Sequence, residues 1–420
     1  MHRIEIEAGQ RILILDGAMA TMIQPLKLQE ADFRNTQLEQ HSIELKGNND
    51  LLNLTKPDVI KHIHLEYLQA GADIISTNTF GANTIAQQDY ALTALVYDIN
   101  FEGAKLAKEA VNTFLHQTRS NKPLFVAGSM GPTTKLASLS PDVNNPGFRA
   151  VTFDQLVEAY TEQAEVLIAG GVDLFLLETI TDTLNAKAAL FALMNIFDKT
   201  GMPLPIMVSG TITDASGRIL SGQTVEAFLI SISHAPLLSV GLNCALGARE
   251  LRPYIEVLSN KSPFLVSTHP NAGLPNQFGA YDQSAEEFAE LVYEFARNGW
   301  VNIVGGCCGT TPLHIKMAAE KLKGLKPRNS IDPSFKQKKY TSAQTVEAIA
   351  NWEVSALKPT FEIRELMKLV SDIEDEKAFN SVKLKFEKEK KLYHPEQALL
   401  LNAHLFGRYN YLKAGAALYV

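Results

Sequence analysis

Three residues of this chain are cysteines, and two of them, Cys307 and Cys308, stand side by side in GGCCGTT. The third is Cys244. Neighbouring residues on an extended strand face opposite sides, so a packed core has little use for such a pair. Glycine lets the backbone leave the extended region. The flanking Gly305, Gly306 and Gly309 would therefore let both thiols turn toward one point. Three thiolates around one point suit Zn2+, which accepts sulfur and favours four tetrahedral ligands at about 2.3 Å. Three protein ligands leave the fourth position open, as in a catalytic site. A substrate thiol bound there loses its proton. It becomes a nucleophile at neutral pH, better suited to attack on an alkyl group than to polarising a carbonyl. Two other readings use the same residues. Free cysteine is often simply a buried small side chain. A cysteine nucleophile could also take its base from His269, which otherwise reads as a pocket wall or a fourth metal ligand.

The elements that must gather these residues are short apolar runs, each followed by a longer helical pattern. The runs are RILILD (11–16), ADIISTN (72–78), FVAGSM (125–130), DLFLLET (173–179), IMVSGTI (206–212), SVGLNCA (239–245), FLVSTHP (264–270) and VNIVGGC (301–307). Nearly continuous apolar runs are what strands covered on both faces require. Between them, PDVIKHIHLEYLQAG opens on Pro57 and closes on Gly71, and SAEEFAELVYEFARNG starts at Ser284 with Glu287 three residues on. These are helix start and stop signals. Eight such units predict a (β/α)8 TIM barrel over residues 1–325. An open doubly wound sheet is the alternative, weakened because no G-x-G-x-x-G follows the first run. In a barrel the active site lies at the C-terminal ends of the strands. Asp16, Thr77, Asn78, Glu178, Cys244, His269, Cys307 and Cys308 all fall at such ends.

Composition narrows the partners. The 420 residues are 46% hydrophobic and 20% charged, an ordinary globular mix. A net charge of −7 argues against a surface built for nucleic-acid phosphates. No apolar run reaches the roughly 18–20 residues that cross a bilayer. The opening MHRIEIEAGQ lacks the apolar core of a signal peptide. The expected location is the cytoplasm, where cysteines serve as thiols or metal ligands rather than disulfides. Residues 326–359, polar and proline-marked, read as a linker. Residues 360–420, rich in Lys, Glu and Leu, read as a helical tail of unknown role, packed on the barrel or serving a partner.

Eight stretches in order carry a family likeness: LDGAMATMIQ (15–24), STNTFGAN (76–83), AGSMGPT (127–133), LLETITD (176–182), SGTITDASGRILSGQ (209–223), GLNCALGARELRP (241–253), PNAGLPNQFGAYD (270–282) and GGCCGTTPLHI (305–315). Over about residues 8–325 the chain resembles the homocysteine S-methyltransferase family. It is most similar to the homocysteine-binding N-terminal module of cobalamin-dependent methionine synthase. The resemblance implies a TIM barrel with homocysteine as substrate and Zn2+ held by Cys244, Cys307 and Cys308, the catalytic centre. It implies that Asp16 and Glu178 face the substrate ammonium. The backbone around Ala20 and Thr21 takes its carboxylate, and Thr77 and Asn243 are further pocket members. After residue 325 no D-x-H-x-x-G run occurs that would place a histidine under a cobalt. Methylcobalamin is therefore expected in trans, on a corrinoid- or folate-binding protein or module. Alternatives are betaine or S-methylmethionine as donor, or a homocysteine-presenting subunit with little activity alone.

Overall fold

The computed structural model describes residues 2–329, apart from 215 and 278. The expected linker beyond 329 and the expected tail over 360–420 lie outside the described residues. Eight parallel strands follow in chain order: β1 (Leu13–Ile14), β2 (Ile74–Ser76), β3 (Phe125–Met130), β4 (Leu174–Ile180), β5 (Ile206–Gly210), β6 (Ser239–Gly247), β7 (Leu265–Asn271) and β8 (Ile303–Val304). Each pairs with its neighbours in sequence, and β1 pairs with β8 through Leu13↔Ile303. A parallel bridge between Leu15 and Ile74 closes the ring. The architecture is the expected (β/α)8 barrel.

Strand parity creates two cores. Leu13, Leu15, Ile74, Ala127, Leu174, Leu176, Met207 and Ile303 fill the interior. Ile4 and Ala8 of the helix Arg3–Gln10 join that cluster. The alternate residues, including Ile14, Ile75, Phe175, Leu177, Val240, Leu242 and Val304, pack outward in a second cluster with the helices. Both faces of every strand are thus dry, which is why the runs read as continuous rather than alternating.

The helices obey their sequence signals. Pro57 opens Pro57–Gln69, and Gly71 beyond its end has φ +105°, a conformation glycine adopts without strain. Ser284 accepts from the Glu287 N–H and caps Ala285–Arg297, a contact worth about 1 kcal/mol. Among the described residues no helix is long and apolar enough to cross a membrane.

Two strands break register where they reach the mouth. Between Leu177↔Val208 and Ile180↔Gly210, β4 has two residues against one in β5. Between Asn243↔His269 and Gly247↔Asn271, β6 has three against one in β7. Bulges bend a strand and re-aim side chains. These two hold Glu178 and Cys244.

Candidate active site

Cys244 is placed by its backbone. Val240 and Leu242 face the outer shell, so an unbroken β6 would send Cys244 outward as well. Instead Cys244 and Ala245 take left-handed conformations, φ +59° and +55°. The thiol swings to within 3.8 Å of Cys308 Sγ. Cys307 and Cys308 lie past the end of β8, outside the regime in which neighbours oppose one another. The turn depends on Gly309, whose φ is +80° and where a Cβ would sit 2.3 Å from Tyr281 Cβ. The three sulfurs lie within 4.8 Å of one another. Tetrahedral ligands at about 2.3 Å from a metal are about 3.8 Å apart, the Cys244–Cys308 separation, so three sulfurs within 4.8 Å could hold a soft divalent ion. Hydrogen bonds with the Cys244 and Cys307 thiols hold Cys308 down to about 3 against its burial, with Tyr281 contributing. Bonds with Cys244 and Cys308, then burial, raise Cys307.

The cluster lines a cavity of about 500 Å3 that also receives Asp16, Thr77, Glu178, Ala20 and His269. Asp16, just past β1, is 3% exposed. It accepts from the Ser76 N–H at 2.8 Å and the Ser76 hydroxyl at 3.0 Å. Burial nevertheless pushes it up to about 8, and the charge of Glu178 adds to the rise. Glu178 accepts from the Ser129 hydroxyl at 2.6 Å. Burial pushes it up to about 7, with Cys308 adding. Among the described residues that line this cavity none is Lys or Arg. Two buried carboxylates whose pKa values desolvation raises, with no described Lys or Arg lining the same cavity, are a pair whose chemistry a ligand cation would complement.

Thr77 joins a closed circuit. Its Oγ1 accepts from the Ser129 N–H at 3.0 Å and lies 2.6 Å from Thr79 Oγ1, which donates to the Ser129 carbonyl. The Thr77 proton is therefore committed to Thr79, and one lone pair stays free. Ala20 and Thr21 lie in the short helix Met19–Ile23. The Thr21 hydroxyl accepts from the Gly309 N–H at 2.9 Å, and the Tyr67 hydroxyl lies 3.1 Å from Ala18 O and 3.2 Å from Thr310 O. The first loop and the cysteine loop are laced together. Asn243 is fully buried, its amide engaged with Thr179. His269 is also buried, its Nε2 without a partner, and burial lowers it to about 3.

The family model for homocysteine S-methyltransferase matches residues 13–322. The chain belongs to that family. Homocysteine methyltransferase MmuM from Escherichia coli shares the fold. Its metallated form superposes with a TM-score of 0.60 at 21% identity, over 76% of this chain and 99% of that one. The oxidised form gives 0.57 at 20%, over 74% and 96%, and the apo form 0.54 at 21%, over 74% and 96%. At such identities the likeness establishes the barrel alone; the residue pattern over 13–322 makes the chain a methyltransferase.

Several residues of this homocysteine S-methyltransferase site escaped sequence reasoning. Ser76 and Ser129 hold the two carboxylates. Both stand inside matching stretches, but serine at a strand end carries no signal of its own. Tyr281, beside Cys308, comes from the loop after β7, and Asn271 lies 3.4 Å from its hydroxyl. Asp50 lines the cavity, as do Phe80 and Tyr90. It accepts from the Gly81 N–H at 2.8 Å, and burial pushes it up to about 7. Loops deliver Tyr281 and Asp50, and no periodicity predicts where such loops come to rest.

Proposed function

We propose that this chain transfers a methyl group to the thiol of homocysteine, giving methionine, with Zn2+ held by Cys244, Cys307 and Cys308. The observation that carries this reading is the meeting of a three-sulfur cluster and two buried carboxylates in one cavity without a fixed cation. Homocysteine offers the complement: an ammonium at one end and a thiol at the other. When bound, Zn2+ favours the thiolate form of a thiol entering its open position, so that a nucleophile exists at neutral pH.

The chain's own residues position the amino acid. Asp16 and Glu178 take the ammonium, whose charge offsets the desolvation that holds both carboxylates near neutrality. Thr77 offers its free lone pair to the same group. The N–H groups of Ala20 and Thr21 stand in the first turn of a helix, where backbone donors lack intrahelical acceptors. They take the carboxylate. Held at this end, the substrate keeps its sulfur aimed along one line, which lowers the entropic part of the barrier. The sulfur–methyl bond forms as the donor–methyl bond breaks, and that bond's electron pair stays with the donor atom.

The donor in this reading is methylcobalamin on a corrinoid- or folate-binding chain or module, as the likeness of residues 8–325 to the homocysteine-binding module of cobalamin-dependent methionine synthase implies. The reaction belongs in the cytoplasm, where the three free cysteines stay reduced. One observation favours a second reading. Asp50 and the exposed Phe80, which also line the cavity, suit a small cationic donor such as betaine or S-methylmethionine. The test is methionine formation by the zinc-loaded chain from homocysteine and each donor in turn. Turnover with a methylated corrinoid protein is expected. Turnover with betaine or S-methylmethionine alone would transfer the assignment to the second reading. Homocysteine binding without turnover on any donor would make the chain a presenting subunit, and absence of homocysteine binding would contradict all three.

A further inference from the structure

We propose that Asn243 is a positioning residue: by locking the left-handed Thr179 it aims Glu178 at the ammonium of homocysteine and sets its distance from the thiol cluster. This rests on the functional reading above. Asn243 Oδ1 accepts from the Thr179 N–H at 2.9 Å, and Asn243 Nδ2 donates to Thr179 Oγ1 at 2.9 Å. The orientation of the amide is fixed chemically, because a backbone N–H can only donate. The remaining Nδ2 proton lies toward Cys307 Sγ, 3.9 Å away. The Asn243 carbonyl accepts from Thr211 Oγ1 at 2.9 Å. Every polar atom of the side chain is thus engaged within the protein, at a residue with no exposed surface.

The need for a lock is visible in the strand. Leu174 and Leu176 face the interior and Leu177 faces the outer shell. Parity carries Glu178 inward and would carry Ile180 inward too, yet Ile180 packs in the outer cluster. The extra residue that reverses parity is Thr179, at φ +56°. That conformation is unfavourable for any side chain and more so for a β-branched one. Thr179 stays there because Asn243 grips both its N–H and its hydroxyl. Released, the 178–179 peptide would relax toward extended geometry and turn Glu178 away from Asp16, since its other hydrogen bond, from Ser129 Oγ, does not constrain the backbone. Asn243 also directly precedes Cys244. One side chain therefore links the carboxylate that reads the ammonium to the strand end that supplies a sulfur. The separation of those two ends is what distinguishes homocysteine from cysteine, which is one methylene shorter.

The test measures homocysteine and cysteine binding calorimetrically, with zinc content, on the zinc-loaded full chain and its Asn243→Ala, Glu178→Gln and doubly substituted forms. Thr179→Ser, which keeps the gripped hydroxyl and removes the β-branch, is the conservative control. Loss of two hydrogen bonds predicts about tenfold weaker homocysteine binding in Asn243→Ala, reduced preference over cysteine, and zinc content like the wild type. The double variant is expected to bind no more weakly than Glu178→Gln alone, because both changes remove one contact, and Thr179→Ser is expected to bind like the wild type. Should Asn243→Ala fail to fold, Thr179→Ala removes half the grip and carries the same comparison. Multiplying losses in the double variant, or unchanged homocysteine affinity and preference in Asn243→Ala, would overturn the proposal while leaving the functional reading intact. A wild-type chain that binds no homocysteine would overturn both.

Discussion

Left-handed backbones at Thr179, Cys244 and Ala245 each cost about 1–3 kcal/mol, and all three lie in the bulges that hold Glu178 and Cys244. Strain at this rim is the physical expense of turning strand residues into site residues. It also marks the limit of what the sequence discloses. The thiols were legible because three rare residues fell at strand ends and glycine flanked two of them. Asp16 and Glu178 were legible because carboxylates are out of place at the end of an apolar run. The grip of Asn243 on Thr179 was not, because it joins two strands that are not neighbours and depends on a φ no residue type announces. Cys308 tests the sulfur set most sharply, since it is the thiol that the other two stabilise as an anion. Serine offers a harder, more basic oxygen to the metal. After dialysis, atomic analysis is expected to find about one zinc per wild-type chain and well under half that in Cys308→Ser. A full equivalent in the variant would remove Cys308 from the ligand set.

At the scale of elements, the expected runs and the observed strands agree most closely in the middle of the barrel. FVAGSM is β3 from end to end. The first and last runs shrink to two-residue strands. Asp16, Gly305 and Gly306 still pair through their backbone N–H groups with Ile74, Thr268 and Asp16, but beyond them the chain turns off into the loops that present the site, so the regular ladder is short there. Helix caps were read correctly because capping is local chemistry. The helix Pro57–Gln69 carries one feature that is not local: His64, with no exposed surface and both ring nitrogens unpartnered among the described residues. Burial lowers it to about 4 from 6.5. The unfolded chain therefore holds the extra proton between those values. Stability is complete above about pH 6.5 and falls as pH drops toward 4. At pH 5 the loss from this residue is about 2 kcal/mol. Urea unfolding at pH 7.5 and pH 5 is expected to show that much less acid sensitivity in His64→Met. His269 and His234, lowered by burial to about 3 and about 4, leave part of the slope in place. An unchanged slope in the variant would mean that His64 is protonated or solvated in the folded chain.

Across the whole molecule, the two ends of the barrel do different work. Ile4 and Ala8 join the interior core, and the chain leaving the last helix is pinned by Arg328. This residue, three positions into the expected linker, is 4% exposed and donates to the carbonyls of Ser259, Ser262 and Phe264. The opposite end carries strain, raised carboxylates and the thiols. Barrel architecture was legible from eight repeats of one pattern, because each unit must bury both faces of its strand. The gathering of the three cysteines at one rim followed from the same pattern, since all of them fall at strand ends; the roles of the surrounding residues came only with the family likeness. The central claim is that the three thiols form one metal site with room for a substrate sulfur. Zinc K-edge X-ray absorption, recorded with and without homocysteine, addresses it directly. The account predicts about three sulfur neighbours near 2.3 Å without substrate and about four with it. A sulfur count that stays the same when homocysteine binds, or that starts below three, would contradict it.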